Sequence, residues 1–170
     1  MNYKPILIVS GEPNSIFLEI YFKVLKLKRI KSPLILISSE KLLRMQMRLL
    51  NYKKKIRLLN YNKLEHYKLD NQFINLIDVK YNPRKAFEKI STKSNKFIKN
   101  SFDLAFKIIK KYKLIKFING PISKKSFLRN KFPGITEYIA SHHLVKSNCM
   151  LIYNKNISVC PLTTHIPFKL

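Results

Sequence analysis

The chain has 170 residues, of which 46% are hydrophobic, a composition typical of a folded globular protein and not of a disordered segment. Its 34 Lys and Arg residues far outnumber its 9 Asp and Glu residues, and the formal net charge is +25. No apolar run approaches the ~20 residues that a membrane-spanning helix needs, and the N-terminal run of about five is too short for a signal peptide, so we expect a cytoplasmic protein without a membrane partner.

In chain order, strand-like and helix-like segments alternate. Short β-branched runs bounded by turn residues predict strands, and apolar residues at a spacing of three or four predict helices. The order is strand 5–9, helix 14–28, strand 33–38, helix 40–51, strands 56–59 and 73–79, helix 92–113, strand 114–118, helices 123–130 and 136–143, and a hairpin of 149–153 with 157–160. Residues 60–72 and 80–95 are polar and are predicted to be long loops.

Strands that alternate with helices favour an α/β fold with a mostly parallel sheet. No repeat or low-complexity linker interrupts the pattern, so residues 1–170 are expected to form a single α/β region. Cys149 and Cys160 would face each other across the predicted hairpin, and in a reducing cytosol we expect two free, half-buried thiols.

The high positive charge has two interpretations. A basic surface is typical of nucleic-acid-binding proteins. The sequence is also crowded with Lys, Asn, Ile, Phe and Tyr, whose codons are AT-rich, and its lysines are spread along the whole chain. Such a composition arises in any enzyme of an AT-rich genome, and a basic surface also suits a phosphorylated substrate. We therefore rank nucleic-acid binding below an anionic small-molecule substrate.

Only three glycines occur, and two of them, Gly11 and Gly120, lie between a predicted strand and a predicted helix. Open α/β sheets bind ligands at such junctions, and a positive φ or a close backbone approach would explain each glycine. A merely tight turn explains them equally well. After Gly120, Ser123 can cap a helix and Lys124 falls in its first turn, which together describe an anion site, although one lysine among many is the simpler interpretation.

Further candidates lie towards the end of the sequence. Gly134 precedes Thr136 and Glu137, which are ordinary residues for the start of a helix. His165 follows a strand-like run and two threonines, a plausible place for a metal ligand or a proton carrier. The spacing of the cysteines and histidines matches no zinc motif, and there is no GxGxxG, Walker or GxSxG sequence.

Four segments in this order carry a family resemblance. They read VSGEPNSI at 9–16, INGPISKKSF at 118–127, FPGITEYIA at 132–140 and LTTHIPF at 162–168. Together they resemble the 4-hydroxythreonine-4-phosphate dehydrogenase family of pyridoxal phosphate (vitamin B6) synthesis. The resemblance runs across the whole chain and covers about the N-terminal half of a two-domain family member. It implies a three-layer α/β/α arrangement, the first part of a two-domain dehydrogenase of the isocitrate/isopropylmalate dehydrogenase-like type.

The resemblance also implies chemistry. Family members oxidise 4-phosphooxy-threonine with NAD, and the product loses carbon dioxide to give 3-amino-2-oxopropyl phosphate. A divalent metal (zinc, magnesium or cobalt) held by three histidines polarises the reacting oxygen, and the enzymes are homodimers with the active site between domains. By position, His165 matches the first metal histidine, Thr136 a substrate-binding threonine, and Lys124 the lysine of a Gly-Pro-x-x-Lys turn with a phosphate-side role. Ile135 stands where the family usually has His.

We therefore expect a truncated or partial dehydrogenase, with two alternatives that remain open: a small basic nucleic-acid-binding α/β domain, or a non-catalytic remnant of the enzyme. The segments that would supply the other two metal histidines and the NAD site have no counterpart among residues 1–170. The sequence thus predicts that this chain alone does not reduce NAD.

Overall fold

The computed structural model describes residues 3–27, 30–114, 116–129, 131–142 and 148–161. The chain divides into two units, Met1–Phe127 and Leu128–Leu170, and each is described by itself. The first unit contains β1 (Ile6–Val9), α1 (Phe17–Leu27), β2 (Leu34–Ser38), α2 (Glu40–Leu49), β3 (Ile56–Leu58), β4 (Ile74–Asp78), α3 (Asn95–Tyr112) and β5 (Phe117–Asn119). The second unit contains α4 (Ile135–His142), β6 (Ile152–Tyr153) and β7 (Ser158–Val159).

The five strands of the first unit form one parallel sheet in the order β3-β4-β2-β1-β5. Helices cover both faces of a parallel sheet, so its strands are buried on both faces and read as continuous apolar runs. β2 is the example, since every residue of its sequence LILIS is buried. The α/β fold with a parallel sheet, predicted from the alternating pattern, is confirmed.

Alternate strand residues point to opposite faces of the sheet. Ile8, Leu36 and Leu76 pack in one cluster with residues of α1 and α2. Leu7 and Ile35 directly precede Ile8 and Leu36 in their strands, are fully buried and point to the other face of the sheet. Helix α3 contacts β1 and β2. Helices therefore lie on both sides of the sheet, as the expected three-layer arrangement requires.

Three boundaries in the first unit differ from the prediction for local reasons. α1 begins at Phe17 and not at residue 14, because Ser15 turns the chain by donating both its N–H (3.1 Å) and its hydroxyl (2.7 Å) to the carbonyl of Glu12. β5 begins later than predicted, because Lys113 takes a left-handed conformation (φ 49°) and the N–H of Leu114 still donates to Ile109 at the end of α3. The predicted loop 60–72 contains two short 3₁₀ turns within Tyr61–His66, separated by a kink at Lys63, and Asn60 caps the first of them.

In the second unit, the ring of Tyr138 on α4 packs against two other rings. Its centroid lies 5.5 Å from that of Phe132, which precedes the helix, and 4.5 Å from that of His142. β6 and β7 form the predicted antiparallel hairpin. Cys149 and Cys160 are free thiols, as expected, but both are exposed and not half-buried, because the short hairpin exposes both of its strands. Partial desolvation, and then the neighbouring Cys149, raise the pKa of the Cys160 thiol.

Within the part of the chain that the structure describes, no helix combines the length and the apolar character needed to cross a lipid bilayer.

Candidate functional site

Two glycine turns meet where β1 and β5 end. The N–H of Gly120 donates to Val9 (2.7 Å) and the N–H of Glu12 donates to the carbonyl of Pro121 (2.8 Å). Gly11 has φ 70°, and a Cβ added there would overlap the Pro121 carbonyl, whereas a Cβ on Gly120 would overlap the Ser10 carbonyl. Both glycines therefore permit a close approach of two backbones, which was one of the explanations predicted for them.

A buried carboxylate connects these turns to the start of α3. Glu12 is only 2% exposed, and its two oxygens accept hydrogen bonds from the hydroxyl of Ser94 (2.9 Å) and the N–H of Asn14 (3.2 Å). Ser94 is the residue immediately before α3. Since a buried charged group is costly to leave unpaired, these bonds hold the β1 turn and the N-terminus of α3 in one arrangement.

The topology opens a crevice at the carboxyl ends of β2 and β4. The connection from β2 leads outward to β3, whereas the connection from β4 leads back across the sheet to β5. Because parallel crossovers are right-handed, connections in opposite directions run over opposite faces, as α2 and α3 do. The loops that leave these neighbouring strands therefore diverge, and such a switch point is where open α/β sheets bind ligands.

A cavity of about 540 Å³ lies at the carboxyl end of β4 and is lined by the loop that follows β4, by the first turns of α3 and by Asn14. We call it the cationic cleft, because four of its lining residues are Lys80, Arg84, Lys93 and Lys96. A smaller cavity of about 230 Å³ shares Lys80 with it and extends to the start of α2. The polar groups of the cationic cleft thus converge from the loop after β4 and from α3.

The acidic groups around the cationic cleft already have partners in the backbone. Glu88 accepts hydrogen bonds from the N–H groups of Arg84 (2.7 Å) and Lys85 (3.2 Å). These two bonds, and then the charges of Arg84 and Lys93, lower the pKa of the Glu88 carboxyl. Asp78 likewise accepts from the N–H of Glu40 at the start of α2 (2.7 Å). Among the described residues, none of the four cations of the cleft forms an ion pair.

Lys124 lies in the first unit, at the exposed start of a single π-helical turn, Lys124–Leu128. The predicted cap is present, since the Ser123 hydroxyl accepts from the N–H of Ser126 (3.1 Å). Lys124 does not line the cationic cleft, so the structure does not bring the predicted and the observed cationic groups of this unit into one cavity.

Thr136 lies in the second unit, and its predicted capping role is wrong. α4 already begins at Ile135, so Thr136 is the second helical residue, and the N–H of Tyr138 donates to Gly134 (3.3 Å). The hydroxyl of Thr136 is therefore not needed as the N-cap. Glu137 does fall in the first turn, where it complements the helix dipole.

The predicted metal ligand, His165, lies outside the described residues, as do the two threonines before it. A catalytic metal site needs about three protein ligands. In the described ranges, no group of three His, Cys, Asp or Glu side chains is placed to hold a metal ion. The described residues therefore do not by themselves fit the metal that the sequence resemblance implies.

The sequence did not point to the cationic cleft. Residues 80–95 were predicted only as a polar loop, and lysines are frequent throughout the chain, so Lys80, Lys93 and Lys96 carried no distinguishing signal. The one available clue was the expectation that the carboxyl ends of the strands form the ligand-binding edge.

Comparisons with known proteins agree with one another. A family model described as "Pyridoxal phosphate biosynthetic protein PdxA" matches residues 29–170. A structure of 4-hydroxythreonine-4-phosphate dehydrogenase from Burkholderia phymatum superposes with a TM-score of 0.82 at 21% identity, covering 97% of this chain and 51% of that one. The structure of the enzyme of the same name from Klebsiella pneumoniae gives 0.78 at 21% identity, with 96% and 52% covered.

The chain thus spans about half the length of the solved structures that it resembles. At this level of identity, the likeness to them establishes the fold. The sequence has no match among the curated proteins.

Proposed function

We propose that this chain, which belongs to the pyridoxal phosphate biosynthetic protein PdxA family, takes part in the NAD-dependent oxidation of 4-phosphooxy-threonine and its decarboxylation to 3-amino-2-oxopropyl phosphate. The match of the family model to residues 29–170 is the observation that carries the proposal. The superposed dehydrogenase structures support it through the shared fold. In this proposal, the chain corresponds to the N-terminal portion of a two-domain, homodimeric, cytoplasmic enzyme.

Three residues have proposed roles. Thr136 binds the substrate, and its hydroxyl is available because α4 does not use it as a cap. His165 is a metal ligand, and Lys124 attracts the substrate phosphate from the exposed start of its helical turn. A bound divalent metal would supply a Lewis acid for the reacting oxygen. Ile135 can neither donate a hydrogen bond nor carry a proton, so those tasks fall to other groups.

Substrate binding tests the role of Thr136. The chain is titrated with 4-phosphooxy-threonine by calorimetry, and Thr136→Val is compared with Ser141→Ala. Ser141 is a matched control, because it lies on the same helix and its hydroxyl donates to the carbonyl of Tyr138 (2.8 Å) and lies 3.3 Å from Nδ1 of His142. One hydrogen bond to a charged ligand is worth ~1.5–3 kcal/mol, so Thr136→Val should weaken binding about tenfold or more and Ser141→Ala should not. Equal affinities for all three proteins would contradict this role.

Turnover tests the need for further residues. We expect that the 170-residue chain, supplied with metal, NAD and 4-phosphooxy-threonine, forms no NADH, because only one of its four histidines matches a metal ligand of the family and about three ligands are needed. The measurement is the absorbance of NADH. Sustained turnover by this chain would show that residues 1–170 contain the whole catalytic centre, and the proposed correspondence to a partial enzyme would be wrong.

A further inference from the structure

We propose that the cationic cleft binds the phosphate or diphosphate group of a small-molecule ligand. Its described lining residues lie between Asn14 and Asn100, in the first unit, and are separate in the sequence from Thr136 and His165. The proposal does not depend on the dehydrogenase reaction, since it concerns binding by residues for which the proposed reaction has no role.

The charge of the cleft is the first argument. One cavity is lined by four cationic side chains, Lys80, Arg84, Lys93 and Lys96. None of the four forms an ion pair with another described residue. Among the described residues, Glu88 is the only carboxylate in the lining, and it accepts hydrogen bonds from backbone N–H groups. Like charges gathered in a concave site repel one another, and the concave shape focuses their potential on an incoming anion. A dianionic phosphate group would relieve this repulsion more than a single carboxylate would.

The neutral polar groups provide hydrogen-bond donors. Ser91 lines the cleft, and its Oγ atom accepts from the N–H of Lys93 (3.4 Å); among the described residues its O–H has no acceptor and can donate to a ligand. Asn100, one α-helical turn after Lys96, adds an amide to the same lining. Charged and neutral donors on a concave surface of this kind form strong, charge-assisted hydrogen bonds with phosphate oxygens.

The walls of the cleft are held in place before any ligand binds. Phe97 is 2% exposed, and its ring packs on Tyr81 at 5.0 Å. Gln46 is fully buried and donates to the carbonyl of Ala86 (2.8 Å), which attaches the loop after β4 to α2. A site built on anchored elements loses less conformational entropy on binding than a mobile one.

The size and the shape favour a small molecule. A volume of about 540 Å³ falls within the usual range of ~300–1,000 Å³ for small-molecule pockets. A nucleic-acid backbone instead needs a stripe or groove of positive charge that follows a strand. The cleft lies at the carboxyl end of β4, and the carboxyl ends of the strands are where open α/β sheets bind ligands.

Pyrophosphate is the probe for the test, titrated calorimetrically into the full chain and two double variants. Lys93→Gln/Lys96→Gln removes two charges of the cleft. Lys107→Gln/Lys110→Gln removes two exposed charges outside the cleft, on α3, the helix that contains Lys96, so both variants have the same net charge. We expect the cleft variant to bind about 10–100-fold more weakly, since each lysine forms a charge-assisted hydrogen bond, and the control variant to lose less than about threefold, since distant charges are screened.

Two results would overturn the proposal. One is an equal loss in both variants, which would mean that pyrophosphate responds only to the overall positive charge. The other combines two observations: the parent chain does not bind pyrophosphate, and the cleft variant, but not the control variant, binds single-stranded oligonucleotide more weakly than the parent chain does. That combination would make the cleft a nucleic-acid site. Circular dichroism of both variants confirms that they remain folded. A chain that binds pyrophosphate in the cleft and yet does not bind 4-phosphooxy-threonine would refute the dehydrogenase proposal alone.

Discussion

Substitution of Gly11 by alanine tests the meeting of the β1 and β5 turns most directly. Gly11 has φ 70°, and the left-handed region costs an L-residue ~1–2 kcal/mol. The new Cβ would also lie 2.8 Å from the carbonyl carbon of Gly120 and would overlap the Pro121 carbonyl. Relief of that overlap separates the two turns and breaks the 2.8 Å hydrogen bond from the buried Glu12 N–H to Pro121, and an unsatisfied buried donor costs ~1–3 kcal/mol.

These contributions together predict a loss of about 2–5 kcal/mol in the free energy of unfolding, a large share of the ~5–15 kcal/mol typical of a domain. For a chain of this size, the melting temperature should fall by roughly 4–20 °C. Urea titration and thermal melting followed by circular dichroism measure both quantities. Lys113→Gly is the control: Lys113 also has a positive φ (49°) but is exposed at the end of α3, so glycine there should stabilise the chain by about 0.5–1 kcal/mol.

A Gly11→Ala chain with a free energy of unfolding within about 0.5 kcal/mol of the parent, the range of ordinary surface substitutions, would refute the inference that two backbones meet at this position. The same result would weaken the placement of Glu12 beside the start of α3, because its N–H and its carboxylate are held by the same arrangement.

Three further predictions concern the core, the loop after β4 and the net charge. Phe102→Ala should cost about 3–5 kcal/mol in urea titration, because its fully buried ring packs against three other phenylalanine rings; a cost below 1 kcal/mol would contradict that packing. Gln46→Leu should cost about 1–3 kcal/mol, since the carbonyls of Pro13 (3.1 Å) and Ala86 (2.8 Å) lose their donor, and hydrogen exchange should increase selectively in residues 84–88; unchanged exchange there would show that the loop is anchored elsewhere. Filter binding of nucleic acid should collapse between low and physiological salt, as expected for a merely basic surface, whereas tight binding at physiological salt would favour the nucleic-acid-binding alternative.

The secondary structure was largely predictable, because each element has a local cause. The run LILIS of β2 is apolar throughout, as a strand buried on both faces must be. Helix α3 carries its buried residues Phe97, Phe102 and Ala105 on one side. The errors lie at element ends, where a single turn decides: Ser15 delays α1, and the left-handed Lys113 delays β5. The spacing of apolar residues along the sequence does not indicate where such turns occur.

The candidate sites were less predictable. The motif with Thr136 was recognisable from its sequence, but the start of α4 at Ile135 changed the interpretation of that threonine from a cap to a residue with an available hydroxyl. His165 was singled out by resemblance and by its position after a strand-like run, and its role remains a prediction.

By itself, the sequence determined the α/β class and the order of the elements, because apolar periodicity is a local property. It left a tight turn and a close backbone approach as equal explanations for Gly11 and Gly120, and the tertiary structure decided for the close approach. Only the tertiary structure decided that Asn14, Lys80 and Lys96 line one cavity. The strand order 3-4-2-1-5 places the carboxyl-end loops of β1 and β4 at the same edge of the sheet, although they are far apart along the chain, and Asn14 and Lys80 belong to these two loops. In a chain with 34 lysines and arginines, no local pattern distinguishes the few that converge, because convergence is a property of the sheet and not of any segment.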